Sequence, residues 1–298
     1  MRAPYPVILL AGIAMISQPV IAAEPPQSYV PSTPWNIHYA DDSCVLRRRF
    51  GDPKHEILLQ LRQYAPGDGF EVTVASEHVA IRKAAARIRF LPDDEPRSIG
   101  VPLRLIFPNK LIAASWDDSF FITDPAEDAA EAMAGQPSKQ RDESLYKARE
   151  STIRGLEISG IFAAPVALQT GEMHRSMSGM RKCLDELVTH WGIDAAAQKT
   201  LTRRARPVDQ MKWARAIQER YPSAMLNEGK GGRVLVRMIV GADGKPTSCN
   251  IQSIVEDLSF GQTACEGMMK VARFDPALDA AGKPIASYFN TKIIYTVN

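Results

Sequence analysis

The chain reads as an α+β protein: a mainly antiparallel β domain with helices comes first, and a small α+β domain of two helices on a three-stranded antiparallel sheet follows. Three observations lead there. Between Trp35 and Ile122, short apolar or alternating runs are separated by turn-forming clusters. Between Met173 and Trp191, apolar residues recur at three- and four-residue steps, the period of a helix with one buried face. From Gly231 to Val297, alternating runs surround an Asp243-Gly244 turn and one further helical stripe.

A length of 298 residues suits two domains. With 45% apolar and 23% charged residues, the composition is that of a globular chain able to bury a core. The net charge of +2 gives no electrostatic reason for a nucleic-acid or acidic-membrane partner. Arg47-Arg48-Arg49 is too short for a binding patch and reads as a solvated strand or turn.

At the N-terminus, Arg2 precedes a compact apolar run from Val7 to Ile16. Gln18-Pro19 break it and Ala22-Ala23 follow, the order of a cleavable secretory leader over residues 1–23. Cleavage after Ala22 or Ala23 leaves a mature start near Glu24. The run is shorter than the ~20 apolar residues of a membrane span. Residues 24–194 then form the β-rich domain, 195–207 a linker, and 208–298 the second domain. The expected location is periplasmic.

Within the first domain, Glu24 to Pro34 is proline-rich and polar, an extended leader. Strands are expected at Cys44 to Phe50, Ile57 to Leu61, Phe70 to Val74, Val101 to Phe107 and Leu111 to Ile122, together a meandering antiparallel sheet. Gly51-Asp52-Pro53 and Pro66-Gly67-Asp68-Gly69 supply turns. Asp124 and Pro125 open an alanine-rich helix to Ala134, which Gly135-Gln136-Pro137 ends. Ser138 to Glu150 is a charged helix or connector, and Thr152 to Ile161 a further strand. Met173, Met177, Met180, Leu184, Leu187, Val188 and Trp191 mark a helix face, closed by Gly192. That methionine-rich stripe is read as core packing rather than as a peptide groove. Asp194 to Arg206 is a polar linker helix, with Pro207 helping to end it.

In the second domain, Trp213, Ile217 and Tyr221 share one side of a helix from Met211 to Tyr221. Val234, Val236 and Met238 alternate on a strand from Gly231 to Val240. The return strand runs from Thr247 to Ile254, and Phe260, Ala264, Met268 and Val271 mark a second helix. Ile285 to Val297 is the last strand. Such a sheet packed on helices makes a two-layer sandwich.

Cys44, Cys183, Cys249 and Cys265 are an even set in a chain expected to be exported, which suggests two disulfides among three possible pairings. The division into domains favours Cys44 with Cys183 and Cys249 with Cys265. No CxxC is present and the five histidines are scattered, so neither a redox motif nor a zinc site is supported.

The succession Tyr221-Pro222, Gly231-Gly232, Asp243-Gly244, Phe274-Asp275-Pro276-Ala277 and Gly282-Lys283-Pro284 resembles the C-terminal domain of the TonB family over roughly the last quarter of the chain. Cysteine-containing variants occur among such domains, which supports the Cys249–Cys265 pairing. Two positions depart from the family pattern: Ser253-Ile254-Val255 stands where Ser-Ser-Gly is common, and Phe260-Gly261 where Leu-Asp opens the helix. The resemblance implies a protein partner in the cell envelope, an outer-membrane receptor or a periplasmic peptide segment, bound by strand addition. It points to the last strand as the partner-binding edge, with Ser287, Phe289, Thr291, Ile293 and Tyr295 as its residues. The bland alternative is an edge covered by another part of the chain or by a second copy, as in a homodimer.

Three functional classes follow. The favoured one is an exported, non-enzymatic binding or assembly protein without cofactor or metal. A membrane-anchored energy transducer is the second, disfavoured because the 21 prolines are dispersed rather than gathered in a periplasmic rod. A periplasmic enzyme with its site in the first domain is the third. No nucleophile elbow, HExxH or phosphate loop supports it, and Asp93-Asp94-Glu95 and Asp117-Asp118 read as loop acids.

Overall fold

The computed structural model describes residues 25–107, 110–121, 141–255 and 257–297. The expected leader, its cleavage point and the helix expected over Pro125 to Ala134 lie outside the described residues. No described helix is long and apolar enough to cross a membrane.

The first part of the chain forms β1 (Gln27–Tyr29), β2 (Asn36–Ala40), β3 (Ser43–Phe50), β4 (Ile57–Gln63), β5 (Gly69–Ser76), β6 (Ala86–Leu91), β7 (Arg97–Gly100), β8 (Leu103–Ile106) and β9 (Ile112–Ser119). Helix α1 (Glu143–Glu150), β10 (Gly155–Ser159), β11 (Val166–Leu168), α2 (His174–His190) and the short α3 (Ala195–Lys199) follow. These strands make two sheets where the sequence suggested one meander. One is six-stranded, ordered β2-β3-β4-β5-β9-β8, and the other five-stranded, ordered β1-β11-β10-β6-β7.

Alternation sets the inner faces. In β4, Ile57, Leu59, Leu61 and Gln63 are buried while the residues between them are partly exposed. The Nε2 of buried Gln63 is satisfied locally, donating to Gly67 O and Gly69 O at 2.9 and 3.1 Å. Helix α2 buries Met177, Met180, Leu184, Leu187 and Val188 in or beside the core the two sheets share. Cys183 on the same helix is joined to Cys44 of β3.

The expected extended leader contains a strand: β1 pairs in parallel with β11, Gln27 opposite Val166. Strand β6 is a further strand beyond those expected, with Ala86, Ile88 and Phe90 buried and alternating with Arg87 and Arg89. Of the acids read as loop residues, Asp94, Asp117 and Asp118 hold ion pairs. Asp118 lies on β9 and pairs with Arg97, and Asp94 accepts both bonds from the Arg149 guanidinium at 2.6 and 2.7 Å.

The second part forms β12 (Arg206–Val208), α4 (Gln210–Gln218), α5 (Ser223–Asn227), β13 (Gly232–Val240), β14 (Pro246–Val255), α6 (Leu258–Val271), β15 (Arg273–Asp275), β16 (Ala277–Leu278), β17 (Pro284–Ile285) and β18 (Ser287–Tyr295). Its main sheet is antiparallel and three-stranded, ordered β14-β13-β18. Val234, Val236, Met238 and Val240 of β13 are buried in one core with Phe260, Ala264 and Met268 of α6 and Trp213 and Ile217 of α4. Pro207 does not end a linker helix. It lies in β12, opposite Phe274 of β15.

The family-like motifs acquire reasons here. Gly244 turns the β13–β14 connection at φ +76°, and its carbonyl accepts from Phe274 N at 2.9 Å, docking the turn on the Phe274-Asp275-Pro276-Ala277 segment. Phe260 packs against Tyr221 and Tyr295. At Gly261 a side chain would come within 2.8 Å of Ile251, so the departure from the family pattern permits close approach of α6 to β14. Cys249 of β14 is joined to Cys265 of α6.

Candidate functional site

The last strand has one paired side and one unpaired side. It pairs with β13 from Val240 opposite Ser287 to Gly232 opposite Tyr295, and no third main-sheet strand lies beyond it among the described residues. The five residues singled out from the sequence sit on it with their side chains toward the helices. Phe289 and Tyr295 are fully buried, Ser287 nearly so, and Thr291 and Ile293 are partly exposed.

The backbone reveals which residues face the open edge. Ala286 O accepts from Gln198 Nε2 and Ile294 O from Gln218 Nε2, each at 3.1 Å. Within a strand the N–H and C=O of one residue point the same way and alternate along the chain. The outward groups therefore belong to Tyr288, Asn290, Lys292 and Ile294, the residues between those expected. Phe289 and Tyr295 support the edge from below, and a docked backbone would bond to the alternate set. No backbone–backbone hydrogen bond joins this side of β18 to another segment among the described residues.

Two walls flank the open stretch. On the helix side, Trp213 and Ile217 of α4 and Met268 of α6 line a notch of about 140 Å³ beside Thr291 and Ile293. On the other face a cleft of about 550 Å³ separates Asn290, Lys292 and Ile294 from β4, β5 and β9. Arg62, Tyr64, Glu71, Asp117 and Arg233 line it. Lys292 pairs with Asp117 across the cleft. Burial pushes the Glu71 carboxyl above its ordinary range, with Asp117 adding to the rise and Arg62, Arg233 and Lys292 opposing it. Burial also raises the Tyr64 hydroxyl.

Toward the start of β18 the same face of the sheet is covered by the first part of the chain. Tyr288 packs edge-on against Trp191, with ring centroids 5.3 Å apart. Gln252 donates to Asp42 O and Tyr64 O at 3.2 and 3.1 Å, and Asn290 donates to Tyr64 O at 3.4 Å. Coverage in cis thus falls on the sheet face, and among the described residues the outward backbone groups of Asn290 and Lys292 stay open. Among the described residues no cluster of His, Cys, Asp or Glu has the arrangement of a metal site.

A three-stranded antiparallel sheet packed on α4 and α6, with a final strand unpaired on one side among the described residues, defines a small α+β module. Residues 217–297 match the family described as Gram-negative bacterial TonB protein C-terminal, so the last quarter of this protein is a TonB-type C-terminal domain, a protein-interaction domain of the cell envelope. Comparison with curated proteins yields no match.

Proposed function

We propose that this is an exported periplasmic binding or assembly protein that captures a protein partner by strand addition to β18. The carrying observation is the stretch Asn290 to Lys292, whose outward backbone groups face two open grooves while the edge on either side is held by glutamine amides at Ala286 O and Ile294 O. An added strand gains affinity from main-chain hydrogen bonds and selectivity from alternate side chains. The role is non-enzymatic: the polar side chains at the edge line an open trough, and Asp94 and Asp118 are tied to arginines as structural pairs. The leader read at residues 1–23 delivers the protein to the periplasm in soluble form.

Two measurements test this reading. Intact mass after fractionation of the native envelope, without reducing agent, is expected to show a start near Glu24 in the soluble periplasmic fraction. A chain beginning at Met1 in the inner membrane favours the anchored transducer instead. Lys292→Pro removes an outward N–H without touching the β13 ladder, so the fold should persist while cross-linking to envelope partners is lost. Undiminished cross-linking by a folded Lys292→Pro protein sinks strand addition at this edge.

A further inference from the structure

The first part of the chain builds one wall of the docking trough. A strand laid along Asn290 to Ile294 presents alternate side chains to opposite faces. One set enters the apolar notch beside Trp213 and Ile217. The other enters the cleft, where its neighbours include Arg62 of β4 and Glu71 of β5 as well as Arg233 of β13.

The charge in that cleft is unbalanced. Lys292 is matched by Asp117, and Asp118 by Arg97. Among the described residues Arg62 and Arg233 form no ion pair, and both line the cleft with the single remaining carboxyl, that of Glu71, and act on it. Arg62 is held instead by Ser43 Oγ at 3.2 Å and by the Tyr64 ring, with its guanidinium carbon 5.8 Å from the centroid. Two guanidinium groups thus share one half-buried acid, in a cleft open to solvent at the place where partner side chains would arrive.

We propose that the first part of the chain reads the docked strand, and that it selects an extended peptide alternating apolar residues with acidic ones. The acidic side chain lies in the cleft between Arg62 and Arg233 while its apolar neighbours fill the notch. This rests on strand addition at β18, but it differs from that reading in assigning specificity to a residue 228 positions before Asn290 in the chain. Guanidinium–carboxylate pairing in a partly enclosed site is strong enough and directional enough to discriminate.

The test uses the full chain with both disulfides intact and three fluorescein-labelled heptapeptides that alternate valine with glutamate, lysine or serine. Fluorescence anisotropy is expected to show the glutamate peptide binding about tenfold more tightly than the lysine peptide, a ratio that falls with added salt. Arg62→Ala is expected to reduce that ratio to about threefold or less and to leave the serine peptide unchanged. Arg233→Gln provides a second variant should Arg62→Ala disturb the fold. Equal binding of the three peptides, or a glutamate preference that both variants keep, overturns the proposal while strand addition stands. A glutamate peptide N-methylated at alternate amides that binds as well as the unmethylated one overturns strand addition itself. Failure of all three peptides to bind overturns both.

Discussion

Arg237, on the central strand of the C-terminal sheet, reaches across to Asp42 in the β2–β3 turn, with Nη1 2.8 Å from Oδ1 and the guanidinium carbon 4.1 Å from the centroid of the Trp191 ring. The arginine side chain is only 5% exposed, so its charge is taken out of water on the understanding that Asp42 and the indole receive it. With Val188, Ile193 and Tyr288 buried in the cluster around Trp191, this contact lies between the two cores.

Truncation of that arginine should therefore uncouple the cores. Arg237→Ala is expected to lower stability by about 2–3 kcal/mol, at the low end for a broken buried pair because Asp42 keeps some solvent. Differential scanning calorimetry is expected to show one transition for the parent chain and two for the variant. An unchanged single transition removes Arg237 as the coupling residue.

The two disulfides stabilise unequally. Cys44 and Cys183 are separated by 139 residues and Cys249 and Cys265 by 16, so the first restricts the unfolded chain more. Chain-entropy reasoning gives about 4–5 kcal/mol for the long loop and about 3 kcal/mol for the short one. Urea denaturation of the paired Cys→Ser variants is expected to rank them in that order. The reverse ranking would mean that residual structure in the unfolded chain, rather than loop length, sets the effect.

Acid–base behaviour centres on Glu150 at the end of α1. Its carboxylate meets Arg181 Nη1 at 2.6 Å and His174 Nδ1 at 3.1 Å, with Glu143 on the far side of Arg181. Burial nonetheless dominates, raising its pKa above the ordinary 4.5 against the pull of Arg181 and His174. The folded chain therefore holds a proton at pH values where the unfolded chain has released it. The stabilisation is complete below about 4.5 and is lost as pH rises through the raised folded value. Glu150→Gln should flatten this part of the stability–pH curve as followed by urea midpoints. A curve of unchanged slope would assign the dependence to another group.

The β13–β14 turn depends on Gly244. At φ +76° an added Cβ would sit 2.1 Å from the Phe274 carbonyl oxygen, a backbone atom with nowhere to go. Gly244→Ala is expected to cost more than about 1 kcal/mol in thermal or chemical denaturation, since conformation and contact both oppose it. A loss below that value would mean the turn can change type.

Much of this architecture is legible in the chain itself. The stripe from Met177 to Val188 and the alternation of Val234, Val236 and Met238 read out as buried faces because a 3.6- or 2-residue period is a local property of the backbone. The family resemblance points to the last strand with Phe289 and Tyr295 among its residues, and their side chains face the helices while the outward backbone groups belong to the residues between them. Side-chain direction and edge hydrogen bonding alternate together, and only the position of β13 says which set faces out. Ala86, Ile88 and Phe90 carry the same two-residue period in β6. Gln27–Tyr29 carries no such signal, because a three-residue strand is too short to show a period and owes its state to β11.

By itself, then, the sequence determined the fold class, the buried faces of α2 and β13, and the TonB-like motif order of the last quarter of the chain, all of which rest on local spacing or on a motif order. Tertiary structure decided the rest: the division of the first part into two sheets, the burial of Arg237 against Asp42 and Trp191, and the cleft that sets Arg62 beside the edge of β18. Each of those joins residues far apart in the chain, and what selects them is the shape and charge left over once the local elements have packed.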